Sequence, residues 1–246
     1  MEDEALISVL NRAYFSDHPD EEDILRRLPE ILAGVRHFVD IGASLGPYSL
    51  HASRILRGGR IDAFEADPVR LARLKENCAR WSAASGNVMS VHHAAVARTG
   101  GKLTFYSTQS NVSGGLFPNP LKHLDEKTRT NVSWTKIEVT AVSLDEFYGA
   151  WPPPQFIKMD IEGGEGEALQ GAVRLLRQRQ TRWLIELHAF EGGWSPKQVI
   201  DYMRSHRYQA DEIAPGRVLF TPIGLPALFK SKFRSVGPRV WHLVAR

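Results

Sequence analysis

Apolar residues recur at helical spacing at Leu6, Val9 and Leu10, and again at Ile24, Leu25, Leu28, Ile31 and Leu32. The pattern predicts two short helices, Glu4 to Asn11 and Glu21 to Ala33, the second stopped by Gly34, that pack before the first strand and brace the sheet in preference to roofing a site. From there short apolar runs alternate with polar, helix-like segments. His37 to Ile41 reads as a strand, the segment from Pro47 through Leu50, Ile55 and Leu56 as a helix, and Arg60 to Ala66 as a second strand. Asp67-Pro68, a capping residue and a first-turn proline, opens a helix through Leu71, Leu74 and Trp81. Asn87 to Ala97 is expected as a third strand, and Lys102–Tyr106 and Lys136–Val142 alternate as strands do. Ser143 caps a short helix before the stiff Trp151-Pro152-Pro153-Pro154 connector. A buried strand from Phe156 leads to a helix over Glu167–Gln178, and Thr181 to His188 repeats the plan. Ser195 caps a helix over Pro196–Ser205, and Tyr208–Ala214, Val218–Thr221 and Val240–Val244 complete the sheet. Strands alternating with helices predict an α/β fold with a mixed, mostly parallel sheet and helices on both faces.

Length and charge narrow the class. The 246 residues, 43% hydrophobic, suffice for one large core, expected as an N-terminal helical segment (1–34) and a main domain (35–246). A net charge of +3 with both signs interspersed gives no nucleic-acid footprint. The single cysteine, Cys78, has no internal partner and favours a reducing compartment. The acidic Met1-Glu2-Asp3-Glu4 start is unlike a signal peptide and no apolar run spans a membrane, so a soluble, cytoplasmic protein is expected. The sequons at Asn111 and Asn131 are then idle, and Lys230–Arg234 is expected as a solvated loop in preference to a contact with anionic substrate or membrane. Nothing in the pattern sets an oligomeric state.

The first candidate site is the turn Asp40-Ile41-Gly42-Ala43-Ser44-Leu45-Gly46. Its glycines let a ligand approach main-chain N–H groups at a helix start, where the dipole favours a negative group. A dinucleotide fingerprint needs a glycine at the place of Ser44, and a phosphate loop needs a lysine after Gly46. The Asp-x-Gly-x-x-x-Gly form instead resembles the first motif of Rossmann-like S-adenosylmethionine (SAM) methyltransferases. A methionine carboxylate then meets the loop, with Asp40 suited to the ammonium directly or through water. Glu65, roughly 20 residues beyond the loop at a strand end, suits two ribose hydroxyls. Ala94, Ala95 and Val96 leave room for an adenine ring. The long polar stretch from Ser107 to Trp134 is a candidate substrate loop or lid, with Ser110, Ser113 and Gly114 near the cofactor. The adjacent His92 and His93 point to opposite faces and are read as structural.

The second candidate is Lys158-Met159-Asp160-Ile161-Glu162-Gly163-Gly164-Glu165. Two-residue alternation puts Lys158, Asp160 and Glu162 on one face, and Glu186 and His188 share a face at the next strand end. Carboxylates delivered to such a rim are costly unless paired or functional.

These segments, with Asp40–Ala43, Phe64–Pro68, Lys158–Gly163 and Ile185–His188 in order, resemble the FkbM-type SAM-dependent methyltransferases, with Ser44 where that family often has Asn. The resemblance implies a Rossmann-like class I methyltransferase fold and O-methylation of a hydroxyl, on a sugar or a polyketide-like natural product. It places the cofactor on Asp40, Gly42, Ser44, Gly46, Glu65, Ala95 and Asp160. An alcohol needs its proton removed before it attacks a methyl group. His188 is the expected base, oriented by or replaced by Asp160, with Glu186 beside it. A divalent metal on Asp160, Glu162, Glu186 and His188 is the competing, less favoured use. N-methylation on the same scaffold, a SAM-binding module without catalysis and, distantly, an NAD-linked oxidoreductase remain alternatives.

Overall fold

The computed structural model describes residues 19–108, 114–116, 134–189 and 192–224. The elements expected at Glu4–Asn11 and Val240–Val244, the Lys230–Arg234 stretch, Ser110, Ser113 and most of the 107–134 segment lie outside them. In chain order come helix α1 (Pro19–Ile31), strand β1 (His37–Ile41), α2 (Pro47–Ile55), β2 (Arg60–Glu65), α3 (Pro68–Ser85), β3 (Val88–His93) and β4 (Ala95–Val96). Then follow β5 (Gly101–Thr108), β6 (Trp134–Val142), α4 (Leu144–Phe147), β7 (Phe156–Met159), α5 (Glu165–Gln170) and α6 (Val173–Gln178). Strand β8 (Arg182–Glu186), α7 (Pro196–Ser205), β9 (Tyr208–Ala214) and β10 (Arg217–Pro222) close the described fold.

The main sheet has seven strands in the order β3-β2-β1-β7-β8-β10-β9. Strands β3, β2, β1, β7 and β8 run parallel, and β10 is antiparallel to both β8 and β9. The chain builds outward from β1 to β3 and later resumes on the other side at β7. That reversal opens a crevice at the carboxyl ends of β1 and β7, where ligands of open α/β sheets bind. Among the described residues no helix is long and apolar enough to cross a membrane.

Strict alternation fills both faces. Val39, Ile41, Ile157, Met159, Trp183 and Ile185 pack with Leu169, Leu175, Leu176 and Ile200 of the helices on one side. Phe38, Phe156, Leu184 and Leu219 pack with Ile24, Leu28, Tyr48 and Ala52 on the other. Each such aliphatic side chain contributes about 1.5–3 kcal/mol on leaving water. Helix α1 buries Ile24, Leu25, Leu28 and Ile31 in the second cluster, so it braces the sheet as its spacing predicts.

Two expectations are corrected. The strand expected over Asn87–Ala97 breaks at Ala94, whose N–H turns back to His92 O at 3.0 Å. Its tail, β4, leaves the main sheet and joins a second sheet, ordered β4-β6-β5, in which the Lys102–Tyr106 and Lys136–Val142 segments lie. The helix expected over Glu167–Gln178 is two helices with Gly171 and Ala172 between them. Asp145 causes the break: its N–H donates to Gly171 O at 2.8 Å, and its carboxylate accepts from the N–H groups of Arg174 (2.7 Å) and Leu175 (3.1 Å). A distant side chain has capped the second helix and satisfied groups that a continuous helix would have paired.

Candidate functional site

The β1–α2 turn depends on two glycines. Gly42 has φ +74°, and a Cβ there would stand 1.8 Å from Asp160 O. Gly46 has φ +91° at the N-cap of α2, against Trp81 and Leu74. Ser44 also takes a left-handed φ of 52°, which aims its N–H at Glu65 Oε2, 2.7 Å away. Glu65 Oε1 accepts the Asp67 N–H at 2.7 Å, so both carboxylate oxygens are held by main chain at the end of β2. Burial outweighs these bonds and lifts the Glu65 carboxyl above its ordinary range.

Asp40 lies behind the turn and is 0% exposed. Its Oδ2 accepts from Ser49 N–H (3.0 Å) and Oγ–H (2.7 Å), and Lys158 Nζ stands 3.7 Å from Oδ1. Burial raises the Asp40 carboxyl against the pull of Lys158 and Ser49. The direct ammonium contact expected of Asp40 is corrected here: the side chain turns inward, because the first N–H groups of α2 need an acceptor.

An open cleft of about 860 Å³ runs over this turn. Gly42, Ser44, Tyr48 and Glu65 line it together with Lys158, Asp160 and Glu162, and Ala94, Ala95, Val96 and Phe105 supply apolar lining. Gly114, from the expected lid segment, lines it as well. Gly46 shapes the turn from below and does not line the cleft. The buried Lys158 lies 3.5 Å from Asp160 Oδ2 and 3.5 Å from Gly42 O, with its ammonium 4.8 Å from the centre of the Tyr48 ring.

The ends of β7 and β8 assemble the expected rim. His188 Nδ1 donates to Glu165 Oε1 at 2.9 Å, and Glu165, at the start of α5, is 1% exposed. His188 Nε2 faces Glu162 Oε2 at 3.6 Å, Glu186 Oε1 at 3.8 Å and Asp160 Oδ1 at 3.9 Å. Arg217 of β10 reaches Glu186 at 2.9 Å. Burial alone would push the imidazole down, but the Glu165 bond and the charges of Glu162, Glu165 and Asp160 outweigh it and lift His188 to about 10. These neighbours favour the protonated imidazole near neutral pH. Burial would raise Asp160, yet Lys158, His188 and Arg217 overcome it and keep its carboxyl below the ordinary value. Asp160 is therefore an ionised acceptor at the cleft.

Glu165, Arg217, Tyr48 and Phe105 escape a reading of the sequence for site residues. Glu165 carried a signal, since it is the third carboxylate of the Asp160–Glu165 stretch, but Arg217 meets Glu186 only through the β8–β10 register. His92 and His93 are structural as expected, His92 on Asp62 at 3.0 Å and His93 on Ala66 O at 3.2 Å. Cys78 is a buried core residue, its thiol pushed up to about 12 by burial.

The chain is similar to known proteins. A hexuronic acid methyltransferase, AglP, from Haloferax volcanii is 29% identical over 181 residues, covering 73% of this chain and 66% of that protein. A solved structure of a methyltransferase FkbM from Methylobacillus flagellatus KT superposes with a TM-score of 0.52 at 20% identity, covering 76% of this chain and 43% of that one. The chain thus spans just under two thirds of the curated relative and less than half of the solved one. Residues 40–210 match the methyltransferase FkbM domain. That match runs from Asp40 at the end of β1 past His188 at the rim, and on it this chain belongs to the FkbM methyltransferase domain family.

Proposed function

We propose that this protein transfers the methyl group of SAM to a hydroxyl oxygen of a sugar, with hexuronic acids as the first acceptors to try. One observation carries the reading: a single cleft is lined by the glycine turn, Glu65 and the rim carboxylates Asp160 and Glu162. The N–H groups at the start of α2 suit the methionine carboxylate. Each Glu65 oxygen accepts one N–H and keeps a lone pair for a ribose hydroxyl. Ala94, Ala95 and Val96 form the slot for adenine. The acceptor oxygen, ordered at the rim, attacks the methyl carbon in line with the C–S bond. That bond's electron pair stays on sulfur, leaving neutral S-adenosylhomocysteine, and the hydroxyl proton passes to Asp160 or Glu162. Ordering both reactants and supplying a base are together the main sources of rate here. The sugar acceptor is taken from the hexuronic acid methyltransferase relative.

Calorimetric titration with S-adenosylhomocysteine tests the cofactor. Micromolar binding to wild type, weakened at least tenfold (about 1.4 kcal/mol) in Glu65→Ala, is expected. No binding to folded wild type overturns the reading. Transfer from methyl-labelled SAM to a sugar panel that includes hexuronic acids then tests the chemistry. Label on no hydroxyl would leave a binding module, and label on amines would point to N-methylation.

A further inference from the structure

We propose that the edge of the main sheet opposite the cleft, where the parallel strands begin, docks on a membrane surface that carries anionic lipid headgroups. The inference is independent of the cofactor and acceptor readings and stands on charge, exposure and topology. The cleft lies at the carboxyl ends of β1 and β7. At the other end of these strands the main chain forms one connected row. Val88 N–H donates to Gly59 O at 2.9 Å, Arg60 N–H to Arg36 O at 2.7 Å, Gln155 N–H to His37 O at 3.1 Å and Arg182 N–H to Gln155 O at 3.0 Å. The antiparallel β10 ends on the same edge, where Ile223 N–H donates to Arg207 O at 2.9 Å.

The edge carries charge of one sign. Arg36, Arg57, Arg179 and Arg207 lie in the connections leading into β1, β2, β8 and β9, and all four are exposed. Arg36 donates to Gly58 O and Arg57 to Arg54 O, and no carboxylate of the described residues lies within 4 Å of any of the four. Arg60 differs, because the buried Asp62 neutralises it. The connections into the strands, residues 32–36, 56–59, 86–87, 148–155, 179–181 and 206–207, contain no Asp or Glu. Residues 225–246, which follow Gly224 in the chain, hold five Lys or Arg and no Asp or Glu, so that stretch supplies no side-chain carboxylate to cover the row. At a strand spacing of about 4.8 Å, Arg57 and Arg207 stand roughly 24 Å apart along the edge. A partner that meets both is broad and anionic.

Apolar side chains accompany the arginines. Of the large exposed hydrophobic residues Val69, Val88, Trp151 and Ile223, all but Val69 stand on this edge. Trp151 is 59% exposed and lies under the Arg60 guanidinium, 5.0 Å from it, before the stiff run of three prolines. Single exposed apolar residues are ordinary, but a Trp and two aliphatic side chains set among unpaired arginines suit the boundary between headgroups and acyl chains. There the guanidinium groups meet phosphate, and the ring and aliphatic groups sit just beneath. A nucleic-acid backbone would use the arginines and leave Val88 and Ile223 without a role. Docked this way, the protein turns its cleft away from the membrane, so cofactor binding is unaffected.

The test is co-sedimentation of the full chain with vesicles of equal parts phosphatidylglycerol and phosphatidylcholine, against vesicles of phosphatidylcholine alone. Binding to the anionic vesicles only is expected, lost at about 0.5 M NaCl, where screening leaves a reach of a few ångströms. Each arginine near an anionic surface is worth about fivefold in affinity, so the Arg36→Gln/Arg57→Gln/Arg179→Gln/Arg207→Gln variant should bind at least 100-fold more weakly. Trp151→Ser should cost about tenfold. Thermal unfolding at the wild-type temperature checks that the variants fold. Folded wild type that ignores anionic vesicles at low salt overturns the proposal. Vesicle binding undiminished in the quadruple arginine variant also overturns it, since another part of the chain would then carry the contact. Retention of single-stranded RNA or duplex DNA without vesicle binding would replace the membrane by a nucleic acid.

Discussion

Two clusters in this protein join acidic residues to histidine across neighbouring strands, and they differ in closure. Around Asp62, on β2, every contact is short: His37 Nε2 at 2.8 Å, His92 Nε2 at 3.0 Å, Arg60 at 2.9 and 3.1 Å, and the Tyr148 hydroxyl donating at 3.1 Å. Asp62 is 0% exposed. The ring of His92 is stacked on Phe64, and Phe147 packs edge-on against both. Around His188 the distances to Asp160, Glu162 and Glu186 are longer, and two of its members, Asp160 and Glu162, line the cleft. A carboxylate whose acceptor sites are filled by the protein stabilises the fold. The rim carboxylates stand instead at the carboxyl ends of parallel strands, where ligands of open α/β sheets bind.

Substitutions sharpen the contrast. The largest effect is expected from Asp160→Asn, which removes an ionised acceptor from the cleft: methyl transfer should fall 10²- to 10⁴-fold while the melting temperature shifts little. Rate and thermal unfolding measured on one preparation decide this, and loss of stability instead of rate would make the rim structural.

Asp62→Asn should show the reverse. Breaking a buried charge network costs about 3–5 kcal/mol, read by denaturant unfolding, with S-adenosylhomocysteine affinity unchanged. The same variant carries a pH signature. Burial would raise the Asp62 carboxyl, but His37, His92 and Arg60 overcome it and hold it well below the carboxylate range. Its stabilisation is therefore complete above the unfolded pKa of about 4 and is lost as pH falls toward the folded value. Stability should fall less steeply between pH 5 and pH 2 in Asp62→Asn than in wild type. Equal slopes would show that another group controls acid unfolding.

The smallest effect belongs to Tyr148→Phe, which removes one donor from Asp62 and leaves three partners. A loss of about 1 kcal/mol in unfolding free energy is expected, with no change in turnover.

The strands and turns nearest the cleft were legible in the sequence because their signals are local. Gly42 and Gly46 mark a turn whose φ values suit glycine, and Glu65 and Asp160 sit at strand ends that hydrophobic runs identify. Proline and capping residues at Asp67-Pro68 and Ser195-Pro196 open helices where expected. The second sheet was not legible, because alternation in Lys102–Tyr106 and Lys136–Val142 identifies strands without naming their partners. The break after Gln170 was hidden for a similar reason, since Asp145 creates it from 26 residues before Gly171. At the site, residue type alone singled out His188, whereas its four carboxylate neighbours come from two segments, Asp160–Glu165 and the end of β8, that only the sheet brings together.

By itself the sequence determined which residues reach the cleft's edge, because strand period, glycine turns and helix caps act over a few residues. Tertiary structure decided what those residues do there. Asp40 turned inward to Ser49 across one turn, while Glu165 took His188 and Arg217 met Glu186 through contacts between separate segments. Protonation and hydrogen bonding depend on neighbours within about 4 Å, and only the folded chain chooses those neighbours.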